Sequence, residues 1–253
     1  MEKLEKINDD ISLFSQEGSL DFGTDAYLLS AFLRKNTKYP SAELGCGNGV
    51  ITLLATARKK LGQTVMFDIQ SSLCAVAAKN VELNRMGDKI TVVNADIKNL
   101  DAKYNGVFGT VFANPPYLKA DGGAHSEDES ADICRREIKG GISDFAVAAA
   151  KLLRHGGYFT CVYRPDRLAE MLCAMRQAKL EPKRLTLVYP TLSHAPCLAL
   201  CEAKKGADEG LFMTAPLVIY EARDKMTQSG YTEDMKKIYE SGDFDERFKN
   251  PGK

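Results

Sequence analysis

The stretch "FANPPY" at residues 112–117 ends an apolar, β-prone run with an amide, two residues that have no N–H, and an aromatic ring. Asn114 offers a side-chain carbonyl as acceptor, and the Pro115 carbonyl offers a second, because Pro115 and Pro116 fix the backbone direction and cannot divert it into a ladder. Two acceptors suit one planar NH₂ group. With both hydrogens held, the nitrogen lone pair is drawn out of conjugation and aimed at an electrophile, while Tyr117 can stack on the ring that carries the amino group. No general base of shifted pKa is needed, so positioning supplies most of the catalysis. Taken alone, the same four residues also suit a turn after a strand.

A second group lies upstream. "ELGCGNGV", residues 43–50, follows one strand and opens a helix. Gly45, Gly47 and Gly49 allow a tight turn and let a ligand lie on bare backbone at a helix N-terminus, with Glu43 and Cys46 among the candidates beside it. A dinucleotide fingerprint would place its third glycine one residue later, where Val50 stands, which disfavours a nicotinamide oxidoreductase. Asp68, followed by Ile69, ends the next strand about twenty residues on, where a carboxylate can accept from both ribose hydroxyls. Asp96, followed by Ile97, ends the third strand and can receive the amino group of adenine. Glycines and aspartates at the carboxyl ends of successive parallel strands converge on one crevice.

The elements that must position these residues follow from the pattern. "SAELG", "QTVMFDI", "KITVVNA", "GVFGTVFA", "GGYFTCVYR", "KRLTLVYP" and "CLALCEA" read as strands, with four amphipathic helical stretches among them. Strand and helix in alternation predict a mostly parallel seven-stranded sheet with helices on both faces. The last two strands have only "TLSHAP" between them and are expected to form a terminal antiparallel hairpin. Ahead of the core, "FGTDAYLLSAF" reads as a helix capped by Thr24 or Asp25. After it come a short strand, a polar helix and a frayed "DERFKNPGK". The expected organisation is an extension over 1–40, a core over 41–222 and a C-terminal helix and tail over 223–253. The irregular stretch 118–141 is expected to be a mobile lid.

Bulk properties narrow the field. Of 253 residues, 44% are apolar and 27% charged, with 34 basic against 34 acidic, so no global field draws in a polyanion. The charged N-terminus and the absence of a long apolar window exclude a signal peptide and a membrane span, and the expected location is the cytoplasm. Seven cysteines, an odd number, are expected to be reduced thiols. Cys197 and Cys201 are a close pair without a second pair nearby, and no metal is expected. His125, His155 and His194 have no ligand or triad spacing.

With "ELGCGNG" and "NPPY" both present, the core resembles the amino-group methyltransferases of the class I, Rossmann-like fold. The G-x-G-x-G turn is the form that S-adenosylmethionine enzymes use. "FGTDAYLLSAF", "RREIKGGISDFAVAAAKLLRHGGYFTCVYRPDRLAEM" and "EPKRLTLVYP" further resemble the bacterial tRNA1(Val) adenine N6-methyltransferases, over most of residues 15–222. The resemblance implies S-adenosyl-L-methionine as cofactor, S-adenosyl-L-homocysteine as product, and tRNA as partner; the oligomeric state is open, with a monomer favoured. It implies Gly45, Gly47 and Gly49 beside the methionine part, Asp68 on the ribose, Asp96 at adenine, and Asn114, Pro115 and Tyr117 at the target base. Many relatives carry glutamate where Asp68 stands. Guanine N2, cytosine N4 and a protein glutamine amide present the same planar NH₂. The short segment ahead of the core favours a nucleobase, because glutamine methyltransferases usually carry a separate helical domain there. A module that binds the cofactor without catalysis is disfavoured by the intact NPPY. Arg135, Arg136, Lys139, Arg164, Arg167, Lys179, Lys183 and Arg184 are expected near one rim, as phosphate contacts.

Overall fold

The computed structural model describes residues 2–8, 10–16, 23–117 and 140–249. The chain opens with a hairpin that the sequence pattern did not announce, β1 (Glu2–Lys6) against β2 (Ser12–Gln16), paired antiparallel with Leu4 opposite Phe14. Two asparagines anchor it. Asn80 accepts from Phe14 N at 2.7 Å and donates to Phe14 O at 3.2 Å, and Asn84 accepts from Ser12 N and donates to Ser12 O. A side-chain amide carries the donor and acceptor of a peptide unit, so the pair acts as a substitute strand edge.

Helix α1 (Thr24–Phe32) follows, with Ala26–Phe32 all buried. Its N-cap is Gly23, which makes no side-chain capping bond, in place of the expected Thr24 or Asp25. The Asp25 carboxylate is engaged elsewhere, as described below.

The core then alternates as expected. Strands β3 (Ser41–Leu44), β4 (Thr64–Asp68), β5 (Ile90–Asn94), β6 (Phe108–Ala113) and β7 (Leu153–Tyr163) are interleaved with helices α2 (Val50–Ala57), α3 (Ser71–Leu83) and α4 (Ile142–Leu152). Helix α5 (Leu168–Gln177) leads to β8 (Leu180–Tyr189) and β9 (Leu198–Lys205). The spatial order is β5, β4, β3, β6, β7, β9, β8, and every neighbouring pair is parallel except those that include β9. Residues 190–197 are too few for a crossover, so β9 must return antiparallel, and it does so between β7 and β8. All seven expected strands are present. Two short ones, β10 (Phe212–Met213) and β11 (Leu217–Val218), pair with the outer edge of β8 and bring the sheet to nine, which covers an edge that would otherwise present unpaired backbone.

Alternation along the strands divides the core into two layers. Val111, Ala113, Cys161 and Tyr163 face α4 and α5, while Phe112, Val162 and Leu200 face α1, α2 and the C-terminal segment. Of the stretch 245–253, expected to fray, residues 245–249 are described, and Phe248 packs into the core. After α6 (Glu233–Ser241), Phe244 and Phe248 are 2% and 1% exposed, and Phe244 meets Phe32 edge-on at 5.3 Å. The i, i+4 aromatic pair gives the tail an apolar anchor that its polar composition conceals.

The chain runs outward from β3 to β5 and then returns to β6 on the other side of β3. A sheet of this kind opens a crevice at the carboxyl ends of β3 and β6, where the order reverses.

Candidate active site

One half of the crevice is made of backbone. After β3, Gly45 N and Cys46 N both donate to Phe67 O, at 2.8 and 3.0 Å, and Gly49 N donates to Cys46 O at 2.8 Å. Gly47 has φ +54°, and a Cβ built on it meets nothing within 4 Å, so the chain leaves open space beside bare backbone. Gly49 is the N-cap of α2 at φ +84°, and a Cβ there would come within 3.1 Å of Met66 Cε. Only glycine meets both conditions without strain. Asp68 is 5% exposed; its Oδ2 accepts from Gly47 N and its Oδ1 from Gln70 N, each at 2.9 Å. Burial raises its pKa, and the two N–H bonds oppose that rise. Asp68 therefore ties the glycine turn to the start of α3 and keeps spare lone pairs on both oxygens. Ile69 beside it is 36% exposed. At the third strand, Asp96 Oδ1 accepts from Lys98 N at 2.9 Å and caps a single 3₁₀ turn that contains Ile97.

Glu43 lies beneath this turn with 0% exposure. Thr52 Oγ1 donates to its Oε2, and Oε1 has no partner among the described residues. Burial lifts its pKa from 4.5 to about 8. An unpartnered buried carboxyl oxygen beside a glycine cradle is left for a water or a ligand to satisfy. Burial also pushes the Cys46 thiol well up, so Cys46 packs rather than reacts.

The other half is made of side chains. Asn114, Pro115, Pro116 and Tyr117 leave the end of β6, adjacent to β3, with Pro115 buried and the other three half-buried. Asn114 Nδ2 donates to Asp25 Oδ2 at 3.0 Å. The Tyr117 hydroxyl lies 2.9 Å from the same Asp25 oxygen and also contacts Asn114 Oδ1, so one hydroxyl hydrogen faces two acceptors. Burial, and next to it the Asp25 charge, hold the Tyr117 pKa well above its ordinary value. The Tyr117 ring meets Tyr163 edge-on at 6.0 Å, and Arg167 Nη1 donates to the Tyr117 carbonyl at 3.1 Å.

Sequence reasoning missed two residues that organise the crevice. Asp25 carried a signal only as a helix cap. Asn80 lies on the buried face of α3, where Nδ2 also donates to Asn48 O at 3.0 Å, linking the N-terminal hairpin to the glycine turn; an asparagine on an apolar helix face was the available clue.

Of the expected basic rim, Lys179 is exposed, and Arg184 alone among the described members is buried. Arg135, Arg136 and Lys139 lie outside them, as does nearly all of the expected lid. Arg164 pairs with Asp166 and Arg167 with Glu170. Arg184 is 2% exposed, bonded to Phe32 O and Glu202, because its position on β8 faces the core. Lys183 donates to the carbonyls of Asp208 and Glu209. The cysteines described are free thiols, no three His, Cys, Asp or Glu among the described residues could hold a metal, and no described helix is long and apolar enough to cross a membrane.

Strand order, antiparallel seventh core strand and crevice together define a class I methyltransferase fold. Among solved structures the chain is similar to a protein of Agrobacterium tumefaciens described as a predicted O-methyltransferase, with a TM-score of 0.70 at 21% identity over 88% of this chain and 98% of that one. It is also similar to the tRNA m1G37 methyltransferase of M. jannaschii, with a TM-score of 0.55 at 15% identity over 82% and 57%. The model of the methyltransferase small domain matches residues 5–178, and the chain belongs to that family. Membership supports S-adenosylmethionine as the cofactor. Among curated relatives, tRNA1(Val) (adenine(37)-N6)-methyltransferases of Yersinia pestis and Yersinia pseudotuberculosis are 27% identical over 154 residues, 59% of this chain, which spans 60% of their length.

Proposed function

We propose that this chain methylates the exocyclic amino group of a nucleobase, with adenine N6 in tRNA as the target. The observation that carries the reading is the Asn114 amide at the end of β6, directly beside the glycine turn at the end of β3, with its oxygen available to an amino group once Tyr117 yields it. The tRNA target is supported by the activity for which the Yersinia relatives are named and by the resemblance carried by "FGTDAYLLSAF" and "NPPY".

S-adenosylmethionine, when bound, would supply an electrophilic methyl on a sulfonium whose S–C electron pair stays with sulfur. The residues for holding it are Gly45, Gly47, Gly49, Asp68, Ile69, Asp96 and Ile97, with Glu43 below the turn and Asn114 at the border of the two halves. Gly47 leaves the space, and Glu43 Oε1 and the spare lone pairs of Asp68 supply unspent acceptors. On the acceptor side, Asn114 Oδ1 and the Pro115 carbonyl hold the amino hydrogens, which frees the nitrogen lone pair for attack. Tyr117 stacks on the base. The new N–C bond leaves the nitrogen cationic, and it loses one proton to solvent water. Because the hydrogens are held before transfer, orientation accounts for most of the rate.

The test is methylation of total tRNA with methyl-labelled S-adenosylmethionine, followed by nucleoside mass spectrometry. N6-methyladenosine is the expected product. Label in N2-methylguanosine or N4-methylcytidine would move the reading to another base. Absence of label from RNA would contradict it.

A further inference from the structure

We propose that Asp25, on the helix ahead of the core, is the positioning residue of the acceptor site: it sets which end of the Asn114 amide meets the substrate and receives the Tyr117 hydrogen when a substrate amino group arrives. This rests on the amino-methylation reading above and extends it to a residue eighty-nine positions away in sequence.

The two ends of an asparagine amide are nearly the same size, and only their hydrogen bonds tell them apart. An ionised carboxylate accepts and cannot donate. With Asp25 Oδ2 3.0 Å from the Asn114 amide, the end that faces it must be the NH₂. The oxygen is then directed away from Asp25, as an amino substrate requires. Were the amide to turn over, it would offer hydrogens to hydrogens.

The same carboxylate resolves a conflict. In the free protein the Tyr117 hydroxyl contacts Asn114 Oδ1, the atom the substrate must use. A half-buried hydroxyl displaced from its acceptor without a substitute is costly. Asp25 Oδ2 lies 2.9 Å from that hydroxyl, so the hydrogen changes acceptor without its oxygen moving. The raised Tyr117 pKa keeps the hydrogen in place to be donated. Asp25 is itself fixed, since its Oδ1 accepts from Ala26 N at 2.8 Å and Ala26–Phe32, which follow it in α1, are all buried. A carboxylate locked at the start of a buried helix is a rigid reference for a loop motif.

Three variants and one spectroscopic reading test this. Asp25→Asn keeps size and fold but replaces an acceptor-only group, and the expected result is a fall in kcat on total tRNA on the order of tenfold to a hundredfold, with cofactor affinity within about threefold of wild type. Tyr117→Phe removes the hydroxyl and leaves Asn114 anchored, so it should lose much less kcat than Asp25→Asn, and the double variant should match Asp25→Asn. The Asn114 side-chain NH₂, assigned in ¹⁵N correlation spectra by its loss in Asn114→Ala, should exchange with deuterium slowly in wild type and rapidly in Asp25→Asn. Near-normal turnover in Asp25→Asn, equal losses in Asp25→Asn and Tyr117→Phe, or a fast-exchanging amide in wild type would each overturn the proposal. If Asp25→Asn does not fold, the wild-type exchange rate and Tyr117→Phe decide. An anchored amide in a protein that methylates no RNA would instead count against the proposed function and leave the contact standing.

Discussion

The glycine turn is held mostly by main-chain groups, with Asp68 twenty-one residues from Gly47 and Asn80 thirty-two residues from Asn48 as its side-chain ties, whereas the acceptor motif is held by side chains, one of them reaching back eighty-nine residues to α1. The difference is physical. A cofactor common to a whole fold can be gripped by backbone, which every sequence possesses, and glycine is the one residue type that must be kept. An amino group must be met by a particular side-chain atom in a particular orientation, and that needs a second side chain to orient it. The cofactor half is therefore local and tolerant, and the acceptor half is long-range and brittle.

Breaking the acceptor half should have the largest effect. On the proposed function, Asn114→Ala removes a contact used in the transition state, worth about 2.7–4 kcal/mol, so turnover should fall by on the order of a hundredfold or more while cofactor affinity stays within about threefold. Single-turnover methylation beside titration calorimetry reads both, and a variant that loses affinity and rate together would contradict the division into halves. On the other side, Asp68→Ala removes the acceptor of the Gly47 and Gln70 N–H groups, and cofactor binding should weaken by about 1.5–3 kcal/mol. Unchanged affinity would take Asp68 out of the site.

Asn80→Ala strikes the link between hairpin and glycine turn. It strands Phe14 N and Asn48 O, and a stability loss of about 1–3 kcal/mol is expected, read as a lower denaturant midpoint with the slope unchanged. No loss would mean that the hairpin hangs free of the core.

A pH dependence tests the buried carboxyl beneath the turn. Glu43 has a folded pKa of about 8 against an ordinary 4.5, so between those values the folded protein binds more protons than the unfolded chain. Its contribution to stability is then fully present below about pH 4.5 and is lost as pH rises through about 8. Glu43→Gln should flatten that slope. Denaturant curves at about pH 5 and about pH 8 should separate the two proteins more at the higher pH, and parallel behaviour would show that Glu43 does not take up a proton on folding.

The division also explains what could be read from the chain. Gly45, Gly47, Gly49, Asp68 and Asn114 announce themselves because each stands at a strand end, where residue type and position alone carry meaning. Asp25 and Asn80 do not, since a helix-start aspartate and a helix asparagine acquire their partners only when distant segments meet. Arg184 misleads for a related reason: it follows Lys183 in a strand, and the step of one residue turns one cation outward and the other into the core. The β9 insertion was half legible, because the short connection dictates an antiparallel return but not the gap into which it goes. The hairpin ahead of α1 was missed because its edge partners are side chains of α3.

The central claim is that Asn114 serves the acceptor and Asp68 the cofactor, and single-turnover methylation of tRNA at saturating S-adenosylmethionine tests it most directly. Under that condition Asp68→Ala should recover to within about threefold of the wild-type rate, because excess cofactor makes good a binding defect, while Asn114→Ala should remain on the order of a hundredfold slow at any cofactor concentration. Recovery of Asn114→Ala by cofactor alone would contradict the account.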